Sequence, residues 1–203
     1  MRYTGPKAKL CRRMGANLFG AEKYAKILSR RNFKPGVHGP KARFGKVSEY
    51  GVQLKEKQKA KIVFGVSEHQ FANYFEKASK QPGETGQNLL RLLELRLDNV
   101  VYVSQFAVTR MQSRQMVTHR HLLLNGHRID IPSISVRPGD KIEIVPRLKE
   151  SPLYHELAGL KDFSPKWLNV DLKKGIIEVL SYPEKDDLEK SIDSQLIVEF
   201  YSR

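Results

Sequence analysis

The chain has 203 residues, 40% hydrophobic and 29% charged, with 36 Lys/Arg against 22 Asp/Glu and a net charge of +14. Such a chain can bury the cores of one or two domains, and its basic excess predicts a polyanionic partner, most often nucleic acid. A single cysteine, Cys11, excludes an internal disulfide and a multi-cysteine zinc cage, and no apolar run approaches the ~20 residues that span a membrane.

The charge is polarised along the chain. Residues 1–60 hold 16 Lys/Arg against 3 acids, and residues 150–203 hold 7 against 11. A solubilising surface would spread its charge. This pattern predicts a basic end that docks on a polyanion and an acidic end turned away. The opening MRYTGPKAKLCRRMG lacks the apolar stretch of a signal peptide, and the lone thiol fits a reducing compartment.

From the N-terminus onward, residues 1–46 show no sustained period and carry basic clusters at Arg12-Arg13 and Arg30-Arg31. They read as a basic extended arm that gains its order from a partner. SEYGVQLKEKQKAKIVFG reads as a helix capped by Ser48. SEHQFANYFEKASK reads as a second, with Ser67 and Gln70 as a capping box and Phe71, Tyr74, Phe75 and Ala78 as an apolar stripe. KQPGETGQ is a break and the expected domain boundary, near 85–90. NLLRLLELRLDNVV reads as a helix with a broad apolar face, ending about Asp98-Asn99. FAVTRMQSRQMVTH reads as a helix that starts at Arg110 behind a Thr109–Gln112 box. Met116 and Val117 are expected inside, and Arg110 and Arg114 share a face. HLLLNGHRID has the signal of a hairpin turning at Asn125-Gly126. VRPGDKIEIV supplies a Pro138-Gly139 turn and a strand with Ile142 and Ile144 on one side. GIIEVL and QLIVEFYSR read as late strands.

Three chemistries compete around residues 95–130. His119, His121 and His127 could point to a metal, but no acid or cysteine stands beside the H-x-H pair at ligand spacing, and a metal needs three or four supported ligands. The Arg-Leu-Asp triplet at 96–98 is like the catalytic aspartate motif of pseudouridine synthases, yet Asp98 precedes the helix-hairpin stretch instead of following it. No phosphate loop or nucleophile elbow is present. The basic and polar set is the third: Arg110, Arg114, Gln115, Asn125 and Arg128, with Lys55, Lys57, Lys59 and Lys61 upstream. Several runs on separate elements point to nucleic acid, and to RNA over DNA because no major-groove reading helix is evident.

The stretches MRYTGPK, RRMG, PGVHG, SEYGVQLKEKQKAK, FGVSEHQFANYFEKA, TGQNLLRLLELRLDNVVY, SRQMVTH, LLLNGHRIDIPS, RPGDKI, WLNVD and LIVEFYSR resemble the bacterial small-ribosomal-subunit protein S-four family from end to end. The resemblance implies an α+β fold. A basic arm (1–46) leads to a helical domain (47–88, joined by about 178–203), and residues 89–177 hold a helix-turn-helix-hairpin RNA-binding module with an antiparallel sheet. It implies a cytoplasmic, non-enzymatic primary binder of 16S ribosomal RNA at the five-way junction of the 5′ domain, which nucleates subunit assembly. It also implies a neighbour, ribosomal protein S-five, a contribution to translational accuracy, and contact with mRNA at the entry site through Lys41, Arg43 and Lys46. The expected ribosomal-RNA contacts add Arg2, Tyr3, Lys9, Arg12, Arg13, Tyr50, His119, Arg120 and His121 to the set above. No cofactor, membrane or small-molecule substrate is implied. Many members hold zinc with four cysteines; Ala8 stands in place of the first and Cys11 keeps the second, as in the zinc-free branch. Many have glycine or lysine after VTH, where Arg120 stands here.

Overall fold

The computed structural model describes residues 3, 5–40, 48–149, 151, 154 and 165–203. The chain divides into two compact units, Met1–Glu76 with Ser191–Arg203, and Lys77–Lys190.

The first unit is helical. The segment expected as an extended arm carries α1 (Lys7–Met14) and α2 (Glu22–Arg30). Leu10, Cys11, Met14, Leu18 and Tyr24 are buried there, and Gly15 caps α1 with φ 70°. Residues 7–14 and 22–30 are thus helical rather than extended: their apolar residues are too few to show a period, yet enough to be buried along two short helices. The α3 helix (Glu49–Phe64) starts at Ser48, whose hydroxyl accepts from the Gly51 N–H at 3.2 Å. The reciprocal Ser67–Gln70 box opens α4 (Glu68–Ser79), whose Phe71 and Ala78 are fully buried.

QLIVEFYSR is a helix, not the expected strand: α8 (Ser194–Tyr201), capped by Asp193, which accepts from the Gln195 and Leu196 N–H groups. Its β-branched run reads as strand locally. Packing against α3 decides otherwise, burying Ile197 and stacking Tyr201 on Phe75 with ring centres 4.3 Å apart.

The second unit joins helices to one five-stranded antiparallel sheet. The single helix expected from residue 88 to about 98–99 is instead two, with a break between them: α5 (Thr85–Glu94) and α6 (Leu97–Val103). Arg96 between them is extended and bridges to Ser135. Leu97 and Asp98 donate to the Ile134 and Pro132 carbonyls, and Val136 donates to Leu95. Loop 131–136 therefore satisfies the orphan groups at the break, and Asp98 lies in the first turn of α6 rather than at a helix end.

The α7 helix (Arg110–Thr118) starts behind Thr109, which accepts from the Gln112 N–H at 3.2 Å. Strands β1 (Leu122–Leu124), β2 (His127–Arg128), β3 (Lys141–Ile144), β4 (Leu168–Asp171) and β5 (Ile176–Val179) follow. Their order in the sheet is β2-β1-β3-β5-β4. Asn125 and Gly126, at φ 50° and 84°, make the tight turn between β1 and β2, the primed geometry that matches strand twist. Alternation puts Ile142, Ile144, Ile177 and Val179 into one core with Leu97, Val100, Met116, Val117, Leu122 and Trp167. No helix among the described residues is long and apolar enough to cross a membrane.

Candidate nucleic-acid interface

The structure sorts the expected RNA contacts by whether their charge is spent inside the protein. In the first unit Lys57 is buried, 2.6 Å from Glu68 and 4.3 Å from the Phe200 ring centre. Lys61 holds the other oxygen of Glu68 at 2.7 Å. Lys59 pairs with Glu56 at 3.0 Å and donates to the Ser191 carbonyl. Burial alone would raise Glu68, but Lys57 and Lys61 hold its carboxyl below the usual range. These three lysines brace α3, α4 and α8. Arg12 is half-buried, donating to the Phe33 and Lys34 carbonyls and lying over the Phe33 ring. Lys9, Arg13 and Lys55 are exposed and make no ion pair among the described residues. Tyr3 and Tyr50 are exposed. Arg2, Lys41, Arg43 and Lys46 lie outside the described residues.

In the second unit, α6, α7 and the β1–β2 hairpin form a compact helix–helix–hairpin module. Two polar networks lock it. Arg96 grips Asp98 in a two-point fork at 3.0 and 2.8 Å, and Arg114 reaches Asp98 at 2.9 Å. Arg110 donates to Asn99 at 3.0 Å and to Glu189 at 2.7 Å and stacks on Tyr102. Asn99 in turn donates to Glu94. Burial pushes Glu94 up to about 7 against the pull of Arg110 and Asn99.

Both arginines expected to grip phosphate thus have partners within the protein. A cleft of about 680 Å³ opens beside Arg110. Asp187 and Glu189, with the buried Glu94, stand beside Arg110 and Lys190 in its lining, so it offers an anion no net positive charge.

The exposed polar face lies at the other end of α7 and on the hairpin: Gln115, Thr118, His119, Arg120, Asn125, His127 and Arg128. Arg120 takes the left-handed conformation, φ 60°. Its N–H donates to Val117 and that of His121 donates to Met116, a Schellman close for the helix. Its guanidinium forks onto Asp130 at 3.0 and 2.7 Å. His121 lies 2.9 Å from the Tyr154 hydroxyl. Burial, then the neighbouring His119, lowers His121, so its ring adds no charge at neutral pH. Asn125 is spent on the turn, donating to Asp140 and accepting from the Lys141 N–H. Arg128 makes no ion pair among the described residues.

By sequence His127 stands out only as a possible metal ligand, and its place beside Arg128 on an exposed strand is the signal for a surface role. The counter-ion Glu189 carries no sequence signal, because it is 79 residues from the arginine it meets, and Asp98 stands out only within the Arg-Leu-Asp triplet.

Fold and site together define a two-unit α+β protein with a helix–helix–hairpin module that presents a basic, polar face. Residues 2–94 match the family model "Ribosomal protein S4/S9 N-terminal domain", and residues 95–142 match the "S4 domain". The chain is similar to small ribosomal subunit protein uS4 of Roseiflexus castenholzii, 48% identical over 100% of this chain and 99% of the relative. It is similar at 47% identity to the protein of that name from Thermodesulfovibrio yellowstonii, and at 48% to that of Leptospira biflexa, over the same shares of both chains. The chain belongs to the S4 family of ribosomal proteins. The match to the S4 domain begins at Leu95, where α5 gives way to α6.

Proposed function

We propose that the chain is a structural, non-enzymatic constituent of the small ribosomal subunit that binds ribosomal RNA in the cytoplasm. The observation that carries this is the exposed face of the module. Gln115, His119, Arg120, His127 and Arg128 stand out from a scaffold held rigid by buried and half-buried ion pairs. A rigid scaffold lets contacts form without further ordering cost.

The finer reading places the chain on 16S ribosomal RNA at the five-way junction of the 5′ domain, where early binding nucleates assembly. Lys9, Arg13 and Lys55 add phosphate contacts from the first unit. The functional division follows the sequence: an RNA-ordering segment over 1–46, a helical domain over 47–88 with 178–203, and the module and sheet over 89–177. Protein S-five is the proposed neighbour, translational accuracy depends on the pair, and Lys41, Arg43 and Lys46 serve the mRNA entry site.

The test is affinity for a 16S 5′-domain RNA across a salt series. Combining His119→Ala, Arg120→Ala and Arg128→Ala should flatten the log K against log salt slope by about 0.7–0.9 for each phosphate no longer neutralised, with the thermal melt little changed. An unchanged slope and affinity would remove the module face from the reading.

A further inference from the structure

Asp98 is 4% exposed and holds two arginines at once. Arg96, fully buried, occupies both its oxygens: Nε meets Oδ1 at 3.0 Å and Nη2 meets Oδ2 at 2.8 Å. That fork already matches one carboxylate to one guanidinium. Arg114 nevertheless reaches the same Oδ2 through Nη1 at 2.9 Å. Next to it on α7, the Ser113 hydroxyl donates to the Asp98 main-chain carbonyl at 2.5 Å. Two consecutive residues of α7 are therefore pinned to the first turn of α6. Two arginines thus share one carboxylate, and they differ in exposure. The Arg96 side chain is 1% exposed, while that of Arg114 is 25% exposed. The Nε and Nη2 atoms of Arg114 make no hydrogen bond among the described residues.

We propose that Asp98 is a positioning residue for nucleic-acid binding. It fixes one corner of the Arg114 guanidinium so that the other two nitrogens offer a ready edge to an RNA phosphate. This rests on the reading that the module binds ribosomal RNA. A buried carboxylate that needed only neutralising would be satisfied by Arg96. The second arginine is held through Nη1 alone, and its part-exposed Nε and Nη2 edge remains open to an outside anion. A free arginine side chain loses rotamer freedom when it meets a phosphate. Arg114 has lost it on folding, so the contact forms with its geometry already set.

A double-mutant cycle on binding to the 16S 5′-domain RNA tests this. In the wild-type background Arg114→Ala should weaken binding about tenfold, as expected when a charge-assisted hydrogen bond is removed. The salt slope should flatten by about 0.7–0.9. In an Asp98→Asn background the same change should weaken binding less than about threefold, because the edge is no longer aimed. Arg128→Ala, on the hairpin, should weaken binding by the same factor in both backgrounds. If Asp98→Asn unfolds the protein, the cycle is run with Arg96→Met and Asp98→Asn combined, which removes the buried cation together with the carboxylate it grips.

An Arg114→Ala factor that is the same with and without the Asp98 carboxylate overturns the proposal and leaves Asp98 a brace for Arg96. Arg128→Ala weakening binding while Arg114→Ala is silent also overturns it, with the module reading intact. If Arg114→Ala, His119→Ala and Arg128→Ala are all silent in the wild type, the module reading itself fails.

Discussion

Glu94 ends α5 with 3% of its surface exposed, and burial pushes it up to about 7 from an ordinary 4.5. A carboxyl raised in the folded state stabilises the fold fully below its free value, and that contribution fades as pH rises through 4.5 to about 7. The gap is worth on the order of 3 kcal/mol. Urea denaturation at pH 5 and pH 8 should therefore show Glu94→Gln losing less stability on the way up than the wild type does. Equal losses would mean that Glu94 stays charged in the fold. Arg120 poses a different balance. Its left-handed backbone costs about 1 kcal/mol, and its exposed fork to Asp130 returns about 0–1 kcal/mol. Arg120→Gly should leave the melting temperature within a few degrees while weakening RNA binding. A large drop in melting temperature would show that the Asp130 pair holds the module together.

At the scale of elements, α3 and α8 depend on each other. Ile197 is fully buried where α8 meets α3, so Ile197→Ala should cost about 2–5 kcal/mol by transfer and cavity. Lys57 lies in the same packing, on Glu68 and the Phe200 ring. Lys57→Met should lower the melting temperature yet leave RNA affinity unchanged wherever the variant is folded. Lys55→Ala, two residues away and exposed, should do the reverse. If Lys57→Met weakens RNA binding in the fully folded protein, Lys57 belongs to the interface after all. The two lysines are indistinguishable as sequence. Their roles part only because residue 57 faces α8 and residue 55 faces water.

Across the whole molecule the excess charge sets the expected salt response. Six or more phosphate contacts would cost about a thousandfold in affinity between roughly 50 and 200 mM salt. A chain of +14 with 16 Lys/Arg in its first 60 residues can supply that number even after internal pairing. Affinity for the 5′-domain RNA that barely moves across this range would mean that few phosphates are touched.

Whatever depends on near neighbours was already written in the sequence. The Ser48, Ser67 and Thr109 caps, the Asn125-Gly126 turn, the Pro138-Gly139 turn and the alternation of Ile142 and Ile144 each rest on a few adjacent residues, and each formed as its local chemistry directs. Long-range packing set the rest. The break at Arg96 exists because loop 131–136 pairs with it, so a run of leucines that reads as one helix became two. QLIVEFYSR is a helix because α3 offers a face to pack on, and residues 7–30 hold two helices because a handful of scattered apolar side chains are buried there. The site divides along the same line. That the chain carries a basic face was legible from charge alone. Which arginines and lysines belong to it was not, because the acids that claim Arg110 and Lys57 come from residues 189 and 68, and only the folded chain brings them within hydrogen-bond reach.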